Sequence, residues 1–358
     1  VVVFRYLIRE IVLTMLAVAV VLLLVIMGSR IIRYMSAAAS GELPLGLVGR
    51  LVMYQMPGFL ELILPLAFFL GILLAYGQLY MNSEMTVLRA CGVSPMKVLR
   101  VSLWPGAVVA VIVALCSLWL GPLGKQQISE ALFEQQQHAD FSILSAGRFQ
   151  NVGGRTVYAA SMSHGNSQLN DIFVSEPQRT KGAPAEVVIK ADHAYQVRDE
   201  KTGARYLVLD SGERYSVEAG RMDAERLTFA SYSTKIEDNL QALEVSEMDA
   251  MPSAQLWGSH DRKMRAELQW RWSLAIMVPI LTLLAMSLSK VDPRHGRFGR
   301  ILPAIILHIA YLSLLLTAKS LIGNSRWPAD VGMWPIHLGF LILGIWLVKR
   351  TFGHKGAR

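Results

Sequence analysis

The feature that most constrains this chain is its order of hydropathy: long apolar segments, a polar stretch over residues 124–262, then long apolar segments again. A polar module held between two sets of bilayer-length segments is confined to one face of a membrane. The chain therefore divides into residues 1–123 with transmembrane helices 1–3, residues 124–262 as a soluble insert, and residues 263–358 with transmembrane helices 4–6.

Residues 11–27 are uncharged and apolar, and with their flanks they exceed the roughly 20 residues a bilayer core requires. Ala37–Ala39 could mark a signal-peptidase site, but the apolar run is too long for a signal segment and Arg30 and Arg33 interrupt the approach. Residues 45–56 read as amphipathic, with a break at Pro57-Gly58 and a second span from Phe59 to Tyr80. Ser94-Pro95, a capping residue followed by a helix-starting proline, precedes a third span from Val98 to Leu120. A basic interfacial helix over 262–271 leads into a fourth span, Trp272–Leu288. The fifth covers Ile301–Ile322 and the sixth Met333–Val348.

The net charge of +8 could suit nucleic acid, but the lysines and arginines stand beside the apolar segments, which is the pattern of membrane topology. Residues 1–10, 81–100, 290–300 and 349–358 together hold thirteen of them, against Arg30, Arg33, Arg50 and Arg326 on the other side. The positive-inside rule then puts both termini in the cytoplasm and the insert outside, which is the periplasm in a bacterium with an outer membrane.

Within the insert, short β-rich runs at 156–158, 171–174, 186–189, 205–209 and 226–229 are punctuated by Gly153-Gly154, Asn166, Gly182, Gly203, Gly212 and Gly220. The pattern predicts an antiparallel sandwich or jelly roll.

Residues 81–92, MNSEMTVLRACG, predict a short cytoplasmic helix over 82–92. At 100° per residue Met81, Met85, Val87, Leu88 and Cys91 share one face, with Glu84 at its centre; Asn82, Ser83, Thr86 and Arg89 lie opposite. A carboxylate on an apolar face suits docking in a groove that offers a cation; the alternative is an interfacial helix whose glutamate reaches water. Arg30 and Arg33, at the outer end of the first span, either meet an anion such as phosphate or anchor the helix at the interface. Lys319 in the fifth span poses the same choice. Glu61, four residues after Pro57, is expected to stabilise a helix N-terminus, and His308 to pack with a hydrogen bond. Cys91 and Cys116 have neither disulfide nor metal spacing. Nucleotide-binding, zinc-hydrolase and serine-hydrolase motifs do not occur, so energised work would draw on a partner.

LELILPLAFFLG (60–71), NSEMTVLRACGVS (82–94), the strand-rich insert, AELQWR (266–271) and VDPRHGR (291–297) occur in this order. Together they resemble the lipopolysaccharide-export permease family nearly end to end, and its F type more than its G type. The resemblance implies six spans with an all-β, jelly-roll-like periplasmic domain between helices 3 and 4. It implies a heterodimer with a G-type permease in the bacterial inner membrane, a cytoplasmic ABC ATPase dimer, a periplasmic jelly-roll bridge protein and a single-span membrane partner. ATP and magnesium would be used by that ATPase, with no cofactor held by this chain. It also implies an ATPase-coupling set of Glu84, Met85, Leu88, Arg89 and Cys91, and lipid A phosphate contacts at Arg30, Arg33 and Lys319, with spans one and five as lateral gates. Set beside this are a permease for another lipid or a lipoprotein, a membrane enzyme acting on lipids, and a structural or signalling subunit. A helical external domain would favour the first of these, and clustered catalytic groups at membrane depth the second.

Overall fold

The computed structural model describes residues 2–39, 43–138, 147–152, 155–163, 168–180, 183–198, 205–218, 224–235, 246–290 and 301–352. Gly153, Gly154, Asn166, Gly182, Gly203 and Gly220 lie outside these residues, as do the VDPRHGR stretch with Arg294 and Arg297, and Arg300, Lys355 and Arg358. Among the described residues, six helical stretches are long and apolar enough to cross a membrane: Val2–Ala39, Leu45–Met81, Pro95–Phe133, Arg262–Leu288, Ile301–Gly323 and Trp334–Phe352. The chain forms two compact units, one of residues 1–30, 51–128 and 245–358, the other of residues 31–50 and 129–244.

The first unit is helical. Helix α1 (Val2–Ala39) is followed by α2 (Leu45–Met81), a short α3 (Glu84–Ala90) and α4 (Pro95–Leu115). A π-helical turn, Cys116–Leu120, joins α4 to α5 (Gly121–His138) without a break. Beyond the strands come two single turns, α6 (Glu247–Ala250) and α7 (Ser253–Leu256), then α8 (Arg262–Leu288), α9 (Ile301–Gly323) and α10 (Trp334–Phe352). Its core is built from α2, α4 and α8, where Phe68, Phe69, Tyr76, Leu274 and Leu281 are fully buried. Ser94 caps α4 as expected, its hydroxyl accepting from the Lys97 amide at 3.3 Å.

Three expectations for the helices change. The break at Pro57-Gly58 is absent: α2 runs through both Pro57 and Pro65. The apolar sequence on both sides favours continuing the helix, and each proline deletes only one backbone donor. The separate interfacial helix over 262–271 is instead the first part of α8, with Glu267, Trp270 and Arg271 buried. The third span continues past Leu120 into α5, because the π turn adds a residue without interrupting the backbone ladder: the Gly121 amide donates to Cys116 O.

In the second unit the strands β1 (Phe149–Val152), β2 (Arg155–Ser163), β3 (Gln168–Thr180), β4 (Ala183–Arg198), β5 (Arg205–Glu218) and β6 (Ala224–Lys235) form one antiparallel sheet in sequence order. The five expected runs lie in β2 to β6, and β1 is additional. The all-β antiparallel insert between the third and fourth spans is as expected. The described strands pair as a meander, with each strand beside its sequence neighbours, which differs from the connectivity of a jelly roll.

A crease crosses this sheet. Pairing runs on both sides of Ala160, Asp171, Asp192, Ser211 and Ala230 but skips those five residues. Asp171 and Ser211 have left-handed backbones, with φ of 50° and 55°. Ordinary alternation would put residues three apart on opposite faces. Across the crease, Leu169 and Ile172, Ala191 and Ala194, and Phe229 and Tyr232 all belong to one apolar cluster. The crease therefore resets the alternation and turns both halves of the long strands toward the same core. Gly212, expected in a turn, lies inside β5 beside the crease, where a Cβ would stand 2.6 Å from the Phe229 ring and closer still to Lys190 O.

Candidate functional site

Two polar sites mark the helical unit. Along α2 they are separated by the twenty residues from Glu61 to Met81, about 30 Å at helical rise.

The first is at α3. Ser83, with φ 62°, turns the chain out of α2, and Glu84 is the first residue of the new helix. The Glu84 carboxylate accepts from the Tyr6 hydroxyl at 2.9 Å and from Asn82 Nδ2 at 3.2 Å. The expected apolar face is divided. Met85 is 3% exposed within the chain's own core, and Leu88 packs against that core. Val87 and Cys91 are exposed. A seven-residue helix is too short to stand alone, so part of its apolar surface is used to seat it. Arg89, on the other side, donates to the Tyr80 hydroxyl at 3.0 Å and lies 5.2 Å over the Phe352 ring, which ties α3 to α2 and α10.

The second site gathers charges from α8, α9 and the turns before them. Arg271 is buried, and its Nε donates to Glu267 Oε1 at 2.9 Å. Nη1 donates to Met251 O and Ser253 Oγ, and Nη2 to Met248 O and Asp249 O. One guanidinium thus satisfies the carbonyls of α6 and pins these turns to α8. Ser253 Oγ in turn donates to Leu118 O in the π turn at 2.5 Å. Lys319 pairs with Glu267 at 2.5 Å, lies 3.8 Å from Asp249, and sits over the Trp270 ring at 5.6 Å. Its ammonium is therefore engaged within the chain.

Glu61 is 7% exposed and lies sixteen residues into α2, far from the N-terminus of its own helix; the expectation that it stabilises the start of the second span fails because α2 starts at Leu45. Its carboxylate faces the π turn, 3.3 Å from where a Gly121 Cβ would stand. Arg30 lies over the Phe59 ring at 5.5 Å, and Arg33 follows three residues later on α1, exposed. His308 is buried and stacks on Phe69, and its Nδ1 has no hydrogen-bond partner among the described residues.

Between α9 and α10, Asp330 accepts from Arg265 at 2.5 Å, and this hydrogen bond holds the carboxyl below the usual aspartate range. On the sheet, hydrogen bonds from Arg226 and then Tyr215 hold the Glu213 carboxyl low.

Sequence reasoning missed Tyr6, Asp249 and the Glu267–Arg271 pair. Only the last left a signal, a glutamate and an arginine four apart on a helix. Buried ions inside spans are costly and mark places where a membrane protein does its work.

The fold and these sites define a multi-pass helical membrane protein with a β domain inserted between its third and fourth spans. The profile of the family "Lipopolysaccharide export system permease LptF/LptG" matches residues 5–350. The chain is 31% identical over 370 residues to the lipopolysaccharide export system permease protein LptF of Escherichia coli (strain K12), covering 99% of this chain and all of that protein. The same figures hold for LptF of Shigella flexneri. The chain belongs to the LptF/LptG permease family.

Proposed function

We propose that this chain is a lipopolysaccharide-export permease that withdraws lipopolysaccharide from the outer leaflet of the bacterial inner membrane and passes it to a periplasmic β bridge. The observation that carries this reading is the family match along nearly the whole chain, joined to six candidate spans with an antiparallel β unit between the third and the fourth. Both termini and α3 face the cytoplasm, and the strands face the periplasm; the support is the basic asymmetry of the short segments.

Energy enters at α3. A partner ABC ATPase dimer, using ATP and magnesium, docks over Glu84 with Leu88 and Cys91, while Met85 beneath and Arg89 beside them hold the helix in place. A paralogous G-type permease completes the membrane heterodimer, and a bridge protein and a single-span partner receive the lipid. Each exposed methylene of an acyl chain costs about 0.8 kcal/mol in water, so the path must be apolar throughout, and the buried face of the creased sheet suits it.

Arg30 and Arg33 pair with lipid A phosphates through charge-assisted hydrogen bonds. Lys319 contributes chiefly through Glu267 and joins the phosphate only if that pair opens. The test is photocrosslinking from positions 30 and 33 in the assembled transporter. Lipopolysaccharide adducts are expected at both, and Arg30→Glu with Arg33→Glu should lower export while the ATPase stays bound. No adduct at either position, together with normal export by the double variant, would assign the arginines to interfacial anchoring.

A further inference from the structure

Helix α1 is unlike the other long helices of the core. From Val2 to Met27 it contains no glycine or proline, whereas α2, α4 and α8 each contain an internal proline. It is seated along a single line, with Leu7, Ile11, Met15 and Ala19 buried at intervals of four. The seam continues through Leu22, Leu23 and Ile26, which pack against the core, to the buried Met27, while the opposite face is open: Val20, Val21, Leu24 and Val25 are 54–67% exposed. At Met15 its backbone touches α2, because Gly71 has no side chain to hold it off; a Cβ there would stand 2.9 Å from Met15 Cα. Near one end Tyr6 donates to Glu84, and toward the other Arg30 lies over Phe59. By helical rise Tyr6 is about 14 Å and Arg30 about 22 Å from Met15.

These positions describe a helix seated by side chains along one seam, with a close backbone approach at Met15, a polar link at its short arm and a single glycine, Gly28, just before Arg30. We infer that Tyr6 is a positioning residue through which α3 acts on α1: its hydroxyl bonds to Glu84, and α1 carries the displacement about the Met15–Gly71 contact to Arg30. The inference rests on the reading of α3 as the helix on which the ATPase docks. An ionised carboxylate has lone pairs for several donors, so Glu84 can meet a cation from the ATPase groove while keeping Tyr6. A hydrogen bond to a charged acceptor is stronger than a neutral one, so the Tyr6–Glu84 bond, though exposed, ties the start of α3 to α1.

The test uses the complete transporter in lipopolysaccharide-containing vesicles and reads lipopolysaccharide released per ATP hydrolysed. Tyr6→Phe keeps the ring and its packing and removes only the hydroxyl. The ATPase should co-purify at the wild-type level and turn over ATP within about twofold, while lipid released per ATP falls roughly tenfold, the size of effect expected for one charge-assisted bond. In the Glu84→Ala background, Tyr6→Phe should add no further loss, since the two act through one contact. Spin labels at positions 29 and 62 supply a readout that a purely structural role would not move: the nucleotide-dependent change in their distance should be present in the parent and absent in Tyr6→Phe. Wild-type coupling with an unchanged distance response in Tyr6→Phe, while Glu84→Ala is impaired, would overturn the role of Tyr6 alone. Loss of the bound ATPase in Tyr6→Phe would also overturn it, by making Tyr6 part of the docking surface. Full ATPase binding and export in Glu84→Ala would overturn the docking reading itself, and this inference with it.

Discussion

Removing the Glu267 carboxylate would leave Arg271 buried and would take from Lys319 its nearest counter-charge. A buried charge stripped of its partner costs about 3–5 kcal/mol. Glu267→Ala is therefore expected to lower the thermal midpoint of the detergent-solubilised protein by several degrees and to open the α6–α7 turns to protease. An unchanged midpoint with intact turns would mean that Arg271 is held by the carbonyls of α6 alone. Single residues were legible in the sequence where a charge stands in an apolar pattern, as with Glu84, Arg30 and Lys319. Their partners were not: Asp249 is seventy residues from Lys319 and Tyr6 is seventy-eight from Glu84. Only packing brings such pairs together. For the same reason Lys319 read only as an anion contact or an interfacial anchor, and its pairing with Glu267 was not visible.

At the scale of the element, apolar run length and strand alternation located the spans and five of the six strands. The places where the reading failed are places where tertiary contacts outweigh local signals. Pro57-Gly58 reads as a break, yet α2 continues because its flanks are apolar enough to stay helical. The π turn at Cys116–Leu120 has no composition of its own; Ser253 bonds to its Leu118 carbonyl, and at Gly121 a Cβ would crowd Cys116 O and the Glu61 carboxylate. The crease left one trace, the three-residue spacing of Ala191 and Ala194, which has no meaning until β3 and β5 stand on either side. Gly212 is the residue to test it. In Gly212→Val the new side chain would enter the space of Lys190 O and the Phe229 ring, and overpacking of this kind costs about 1–3 kcal/mol. The variant should raise amide exchange across β4–β6 while leaving the helices unchanged. Unaltered exchange in these strands would show that the crease does not depend on the close approach.

For the whole molecule, the order of helices and strands sets the architecture, and the proposed orientation rests on the basic asymmetry of the short segments. With a single cysteine at position 180, in β3, an impermeant thiol reagent should label cells once the outer membrane is permeabilised. Labelling that requires opening the inner membrane would invert the topology. The most direct measurement of the account as a whole is transfer of lipopolysaccharide. Vesicles carrying this chain with its co-purifying permease and ATPase, loaded with lipopolysaccharide, should deliver it on addition of ATP to a soluble bridge protein bearing a photocrosslinker. Delivery should fail when this chain is omitted. ATP hydrolysis by the complete assembly without lipopolysaccharide on the bridge, or delivery of a different lipid in its place, would contradict the account.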